Sequence, residues 1–190
     1  MLLGRVKKVI SGLVALSMLT TFAVPSGMAK AADSSELKNP VVSKTETTWD
    51  RVVFGSYYSE VQEKDVPITW RVLNVSGNDA FLISDEILAM KNYNDEAKAV
   101  TWADSSLRSW LNDDFFNYAF TEEERAAVIQ TEIQNNNFDL TQTDYEMTND
   151  YVYLPSYQEM QLKSYGFSNN ILDHESRLAY TNTYLEASNI

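Results

Sequence analysis

The fold is decided by the run from Trp102 to Ile129, WADSSLRSWLNDDFFNYAFTEEERAAVI. Apolar side chains recur in this run at spacings of three and four, the period of one buried helical face. The residues on this stripe are Leu107, Trp110, Leu111, Phe115, Tyr118 and Ala119. The stripe predicts amphipathic helices that pack on the rest of the domain and supply its core.

Capping signals divide this run. Asp104 or Ser105 can accept hydrogen bonds from the free amides of a helix start, which predicts a helix that ends near Asn112. Thr121 and Glu124 have the spacing of a capping box, in which each side chain bonds to the backbone amide of the other. A further helix is therefore expected to begin there and to continue past Ile129.

Three β-rich stretches precede the helices. In the first, residues 47–58, Gly55 marks a bend or bulge. The other two, residues 66–75 and 80–84, flank a Ser-Gly-Asn-Asp turn, which predicts an antiparallel hairpin. A fourth stretch follows the helices at 151–154. Because strands and helices are partly segregated along the chain, we predict an α+β fold with a small, mostly antiparallel sheet packed on a few short helices.

Shorter segments complete this prediction. Glu86–Met90 is expected to form one helical turn. Ser156 and Glu159 repeat the capping-box spacing, which predicts a short helix that ends at Lys163. Residues 133–150 are rich in Asn, Thr and Asp and have little periodicity, so a long surface loop is expected there.

The first 31 residues have the pattern of an export signal. Arg5, Lys7 and Lys8 precede an uncharged run at 9–24, and Ala-Lys-Ala at 29–31 fits a cleavage site. An uncleaved anchor is the alternative, although 16 residues are short for a membrane span. The predicted organisation is a signal peptide at 1–31, a linker at 32–47 and a single α+β domain at 48–190.

The composition excludes several classes of function. Loss of the leader leaves 11 basic and 27 acidic residues, a formal net charge of −16. Such a surface repels nucleic acid and anionic lipid, so neither is expected as a partner, and no membrane insertion is expected after cleavage. The chain has no cysteine and one histidine, His174, and it lacks a glycine-rich phosphate loop. No cofactor and no metal are therefore predicted.

The candidate ligand-binding residues lie at and before the start of the first helix. Trp102 is the tryptophan most expected to be exposed, and an aromatic face can pack on a sugar ring. Tyr93 and Asn94 in the preceding loop can join it. Arg108 and Asn112 are four apart, hence on one helical face, where they can grip a carboxylate or sugar hydroxyls. In the structural alternative, the arginine pairs with local acids and the asparagine caps the helix.

Acidic residues suggest two further possibilities. Hydrolysis of a glycoside needs two carboxyl groups at a set separation across a cleft, and the chain has several close pairs, such as Asp113 with Asp114. The stretch from Asp139 to Asp150 contains oxygen ligands that calcium can use, but its spacing misses the EF-hand pattern. A solvated loop is the favoured interpretation of that stretch.

A series of short motifs resembles an uncharacterised domain family of secreted proteins from Gram-positive anaerobes, a domain of unknown function. The motifs are Trp70-Arg71-Val72-Leu73, Leu82-Ile83-Ser84, Trp102 with Leu107-Arg108 and Trp110-Leu111-Asn112, and Ala119-Phe120 with Glu124. The resemblance covers about residues 48–188 and implies a distant similarity to C-type-lectin-like and formylglycine-generating-type folds. It also implies further sheet beyond Ile190, so the domain is expected to be incomplete at its C-terminus.

The sequence as a whole predicts a secreted, non-catalytic recognition module for a glycan or a cell-surface protein. A secreted hydrolase that acts through two carboxylates, such as a glycoside hydrolase, is the first alternative. A structural fragment without activity of its own is the second.

Overall fold

A six-stranded sheet forms the centre of the computed structural model of this chain. The structure describes residues 1–7, 37–44, 46–59, 63–135, 146–167 and 175–180. The strands in these ranges are β1 (Leu3–Lys7), β2 (Val41–Val42), β3 (Thr47–Thr48), β4 (Arg51–Ser59), β5 (Lys64–Ser76), β6 (Asp79–Ser84), β7 (Val128–Ile129), β8 (Thr131–Asn135), β9 (Glu146–Asp150) and β10 (Val152–Tyr153). The main sheet has the order β10-β1-β6-β5-β4, and β7 shares with β10 the outer edge of β1. All pairings in this sheet are antiparallel.

The β5–β6 hairpin forms where the sequence predicts it. Ser76 pairs with Asp79 around a turn in which Gly77 has a φ of 57°. Gly55 has a φ of 73° and lies at a break in the β4–β5 register, so the predicted bulge is confirmed. A Cβ atom at Gly55 would lie 2.6 Å from the ring of Phe120. Glycine is therefore required here for both its backbone angle and its lack of a side chain.

The predicted apolar stripe forms one continuous helical run. α1 (Ser106–Trp110) passes through a π turn (Leu111–Phe115) into α2 (Phe116–Ala119), and the junction residues have right-handed helical angles. Ser105 is the N-cap, and its hydroxyl accepts a hydrogen bond from the backbone N–H of Arg108. The predicted helix end at Asn112 is wrong, because this residue lies inside the π turn.

α3 (Glu122–Ala127) begins with the predicted capping box. The hydroxyl of Thr121 accepts from the N–H of Glu124, whose carboxylate accepts from the N–H of Thr121. That carboxylate also accepts from the N–H of Gly55 at 2.9 Å, which ties the helix to β4. The predicted continuation past Ile129 is wrong, since the chain becomes extended there and pairs with β1 as β7.

The sheet is covered on both faces. The helical run packs on one face, and the buried core there includes Ile68, Trp70, Val72, Leu82, Leu111, Phe115, Phe116 and Phe120. On the other face, 3₁₀ turns at Glu159–Gln161 and Lys163–Tyr165 contribute side chains that pack against Leu3, Leu73, Phe81, Ile83, Tyr153 and Phe167. The fold is α+β with a mostly antiparallel sheet, as predicted. Tyr118 departs from the predicted stripe, because it is exposed and its hydroxyl donates to Asp65.

Three local predictions differ from the structure. Glu86–Met90 is not helical. Both ends of the predicted 133–150 loop are strands, since β8 and β9 pair and Ile133 packs against the second core. The reciprocal hydrogen bonds between Ser156 and Glu159 form, but they precede 3₁₀ turns rather than an α-helix.

The N-terminal segment lies inside the main sheet as β1. Residues 8–36 and 45 lie outside the described residues, so the leader and its cleavage stay predictions. At the end of the predicted linker, β2 pairs as a small hairpin with β3, which extends one residue into the predicted domain. No helix in the described ranges has both the length and the apolar character needed to cross a bilayer.

Candidate binding face

A buried carboxylate anchors the inner side of α1. Asp150, at the end of β9, is fully buried. Its oxygens accept from Trp102 Nε1 at 2.8 Å, from Arg108 Nε at 2.7 Å and from Thr148 Oγ1 at 2.9 Å. We name these four residues the Asp150 cluster. A buried charge is tolerated when it is paired and hydrogen-bonded in this way, so the cluster fixes the helix start to the strand.

Asn112 makes the second connection between the helix and the sheet. Its Nδ2 donates to the backbone oxygens of Arg108 at 3.1 Å and Val152 at 3.0 Å. Its Oδ1 accepts from the N–H groups of Tyr151 at 2.7 Å and Val152 at 3.2 Å. A side-chain amide can donate two hydrogen bonds and accept two, so its capacity is fully used here. The π turn thus places an asparagine that bonds to the backbone of Tyr151 and Val152, in addition to the pairing of β10 with β1.

The structure brings together three of the sequence-predicted ligand residues, Trp102, Arg108 and Asn112. It also uses them internally: Trp102 Nε1, Arg108 Nε and the Asn112 amide are bonded to the protein, and Arg108 Nη1 donates to the oxygen of Ala103 at 3.1 Å. Contact between these three residues and a ligand stays a prediction. What the geometry establishes is that they hold the loop and the helix in fixed positions.

The other two predicted residues, Tyr93 and Asn94, belong to a loop that is fastened to the start of α1. Asn94 Oδ1 accepts from the N–H of Ser106 at 3.2 Å, and the backbone oxygen of Tyr93 accepts from the N–H of Leu107 at 3.3 Å. The Tyr93 ring is 44% exposed, and its centroid lies 6.4 Å from that of Trp102. Burial raises the pKa of the Tyr93 hydroxyl above its ordinary value.

A concave surface lies on the outer side of α1, with a volume of about 270 Å³. We name it the outer pocket, and it is lined by Lys91, Asn92, Asp95, Ser106, Leu107, Ser109, Trp110, Asp113 and Asp114. The ring of Trp110 is partly buried, and Lys91 Nζ lies 5.0 Å from its centroid. The pocket thus combines an aromatic surface with hydroxyl, amide and carboxylate groups.

The outer pocket contains residues that the sequence assigns to other roles or does not single out. The sequence assigns Trp110 to the core. Its ring packs against Tyr57 and Phe115, as this assignment expects, but the residue also lines the pocket. Nothing in the sequence marks Lys91 or Ser109. For the helical residues of the pocket, the signal that could have identified them is the helical period, because Ser106, Ser109 and Asp113 follow spacings of three and four on the polar side of the helical run.

Three carboxylates line the outer pocket, but they do not form a metal-binding group. Asp95, Asp113 and Asp114 line the pocket, and Asp113 Oδ1 accepts from Asn117 Nδ2 at 3.0 Å. Among the described residues, no group of three or more His, Cys, Asp or Glu is placed to hold a metal ion. Of the considered calcium stretch, Asp139–Asp150, residues 139–145 lie outside the described residues, as does His174, and the remainder forms β9.

Comparison with known proteins places this chain in a family. A family model for a domain of unknown function, DUF6273, matches residues 77–189, which is more than half of the chain. The matched range includes β6, the helices, the Asp150 cluster and the outer pocket. No curated protein and no solved structure shows a detectable match. The chain therefore belongs to the DUF6273 family, a domain of unknown function.

Proposed function

We propose that this protein is an exported, non-catalytic recognition module that binds a glycan through the outer pocket. The observation that carries the proposal is the partly buried Trp110 in the lining of a pocket whose other lining residues supply hydroxyl, amide and carboxylate groups. Binding sites for small ligands are typically concave, with an apolar surface and a few polar groups that fix orientation.

The chemistry of the pocket suits a hydroxyl-rich ligand. A sugar ring presents an apolar face that can pack on an indole, and its hydroxyls donate to carboxylates. Asp95 and Asp114 offer acceptors, while Ser109 and Asn92 can both donate and accept. Lys91 is exposed beside Trp110, so its flexible side chain can move aside from the ring or donate to a hydroxyl.

The Asp150 cluster supports this proposal from behind the pocket. Trp102 and Arg108 bond to one buried carboxylate, and Asn94 bonds to the first turn of α1. The loop and the helix that form the two walls are thus held by polar contacts before any ligand arrives. Preformed walls lower the ordering cost of binding.

Export and fold likeness belong to the same proposal. The basic residues, apolar run and Ala-x-Ala site at 1–31 support export, and the acidic remainder of the chain is suited to solubility outside the cell. A C-type-lectin-like arrangement, which the motif resemblance implies, would agree with glycan recognition. The alternative ligand is a cell-surface protein, and the experiment below distinguishes it from a glycan.

A glycan array probed with the full chain tests the proposal. We expect saturable binding to a limited set of glycans, with loss of binding in Lys91→Ala and Asp114→Ala. The matched controls are Lys98→Ala and Asp104→Ala, which replace exposed residues of the same type outside the pocket. Binding that is equal in pocket and control variants would contradict the proposed site. If the chain bound no glycan but captured a purified cell-surface protein, the ligand would be a protein and not a glycan.

A glycoside hydrolase is the second candidate, because the outer pocket gathers the carboxyl groups of Asp95, Asp113 and Asp114. Two carboxyl groups about 5 to 9.5 Å apart across a sugar are the requirement for such a reaction. Release of reducing sugar from a bound polysaccharide, abolished by Asp114→Asn or Asp113→Asn but not by Asp104→Asn, would establish this activity. Binding without release would leave recognition as the function.

A further inference from the structure

The outer side of the helical run continues beyond the outer pocket as a row of side chains. Trp110, Asp114 and Tyr118 follow one another at spacings of four along α1, the π turn and α2. Asp114 and Tyr118 are exposed, and Trp110 is partly buried in the lining of the pocket. We name these three residues the outer row. A ligand that extends from the pocket toward α2 therefore meets Asp114 and then Tyr118.

The π turn brings the two ends of the outer row toward the same side of the helical run. In a regular α-helix, residues eight apart differ by about 80° around the axis. The π turn lies between Trp110 and Tyr118 and has more residues per turn, which reduces this angle. Single π turns inside α-helices occur frequently at functional sites. The turn that places Asn112 against the strands thus also aligns the outer row.

A third aromatic ring connects the two ends of the outer row. The ring centroid of Tyr57, in β4, lies 6.4 Å from that of Trp110 and 5.7 Å from that of Tyr118. Both contacts are edge-to-face, which is a favourable arrangement for aromatic pairs. Tyr57 is half-buried, so it supports the two other rings from the side of the sheet. The three rings form a continuous aromatic surface that leads from the pocket to α2.

The ring of Tyr118 is held in position although it is 54% exposed. Its hydroxyl donates to Asp65 Oδ1 at 2.6 Å, which fixes the far end of the side chain to β5. The backbone oxygen of Asn117 accepts from Arg125 Nη1 at 3.1 Å, which ties α2 to α3. A ring that is positioned before binding loses little conformational freedom when a ligand packs on it. Tyr118 therefore has the properties of a second stacking surface.

The length of the outer row exceeds the size of one sugar. Trp110 and Tyr118 are separated by roughly 10 to 12 Å along the helix axis, since they are eight residues apart. A sugar ring is similar in width to one aromatic ring, so a single sugar cannot cover both side chains. A chain of sugars can pack one ring on Trp110 and a later ring on Tyr118.

The charge of this surface restricts the kind of sugar. Asp113 and Asp114 are exposed along the row, and Asp65 lies at its far end beside Tyr118. Lys91 balances one of these charges at the pocket end. The remaining carboxylates repel sugars that carry carboxylate or phosphate groups, whereas they accept hydrogen bonds from neutral hydroxyls.

We propose that the outer pocket is one end of an extended site, which binds a linear chain of uncharged sugars along the outer side of the helical run. One sugar packs on Trp110 and a later one packs on Tyr118. This inference rests on the proposed glycan binding and names the class of glycan: a neutral oligosaccharide, rather than a single sugar or an acidic polysaccharide.

Calorimetric titration of the full chain with sugars of increasing length tests the extended site. The probes are laminari-, cello- and chito-oligosaccharides, each from one to about six rings, and oligogalacturonides of the same lengths as the acidic comparison. We expect affinity to rise with length in at least one neutral series and to level off once the oligomer spans both ends of the outer row. The oligogalacturonides are expected to bind more weakly than the neutral oligomers of equal length.

Substitutions distinguish the two ends of the site. Tyr118→Ala should weaken binding of the longest oligomer about three- to ten-fold but leave the shortest bound oligomer within about two-fold, because only a long chain reaches this ring. Tyr118→Phe keeps the ring and should retain the dependence on length, whereas Trp110→Phe should weaken binding at every length. The matched control is Tyr157→Ala, which removes a tyrosine that is 41% exposed and precedes the 3₁₀ turns on the other face of the sheet. It should bind as the unmodified chain does.

Three results would overturn the proposal. The first is a single sugar bound as tightly as the longest oligomer of its series, which would also be the result if another segment of the chain covered Tyr118. The second is an equal effect of Tyr118→Ala at every length. The third is binding of oligogalacturonides as tight as that of neutral oligomers. If the glycan array identifies a ligand but no neutral oligomer binds, this inference alone fails; if the array identifies none, the proposed function fails with it.

Discussion

The two sides of the helical run through α1 and the π turn use similar residues in opposite ways. On the inner side, Arg108 donates to the Asp150 carboxylate, and the Asn112 amide bonds to the backbone of Tyr151 and Val152. On the outer side, Ser109 and Asp114 are exposed beside Trp110 at a pocket open to solvent. The inner side has the residues that a sequence most readily suggests as ligand contacts, whereas the outer side has the room for a ligand. Polar residues at a helix start can therefore be either a support or a contact surface, and burial decides which.

The largest expected effect is the loss of the carboxylate that organises the inner side. Asp150→Ala leaves Arg108 and the indole N–H of Trp102 without their shared partner, and we expect the free energy of unfolding to fall by about 3 kcal/mol. Urea unfolding followed by circular dichroism measures this change. The matched control is Asp113→Ala on the outer side, where we expect a change within about 0.5 kcal/mol. Equal effects would show that the two sides do not differ in their structural role.

Gly55 and Gly77 offer a second comparison of closed with open surroundings, because Gly55 is crowded by other residues and Gly77 is not. In Gly55→Ala, the new Cβ atom meets the ring of Phe120 at 2.6 Å and the oxygen of Ala119 at 2.8 Å, and the backbone angle is unfavourable. We expect a cost of about 2 to 3 kcal/mol in unfolding free energy. Gly77→Ala has a similar φ but no atom within 4 Å of the new Cβ, so about 1 kcal/mol is expected. Thermal melts of both variants compare overpacking with backbone strain alone.

The smallest expected effect concerns stability in acid, which depends on the partly buried carboxylate of Asp85 and its two arginine partners. Burial by itself raises the pKa of Asp85, but hydrogen bonds and charges from Arg51 and Arg71 outweigh it, and the pKa is lowered. A lowered pKa in the folded state gives stability that is present above the unfolded value, near pH 4, and is lost as pH falls through the folded value. Asp85→Asn should therefore flatten the acid side of a plot of unfolding free energy against pH. An unchanged slope would contradict this assignment.

Short-range signals explain how much of the fold could be read from the sequence. Ser105, the Thr121–Glu124 box and the glycine of the β5–β6 turn act within four residues, so their local pattern suffices. The continuation of the helix through Asn112 could not be read in this way, because the side chain is held by the amides of Tyr151 and Val152, far away in the chain.

The candidate site was predicted only in part for the same reason. The sequence identifies the loop and the helix start, since Tyr93, Asn94 and Trp102 are placed there. It does not reveal that Asp150 is buried beneath them, or that Lys91 lies beside Trp110, because both facts depend on how distant segments pack. The helical period separates the two sides of α1, but only the sheet determines which side is covered.

The most direct test of the contrast is a pair of tryptophan substitutions, measured by glycan affinity and melting temperature on the full chain. Trp110→Phe keeps an apolar ring but reduces the stacking surface, so we expect binding to weaken about three- to ten-fold, with a smaller fall in melting temperature than in Trp102→Phe. Trp102→Phe removes the indole hydrogen bond to Asp150, so we expect a lower melting temperature and a smaller loss of affinity than in Trp110→Phe. The reverse pattern, with affinity lost in Trp102→Phe and retained in Trp110→Phe, would contradict the account and return the ligand to the inner side of the helix.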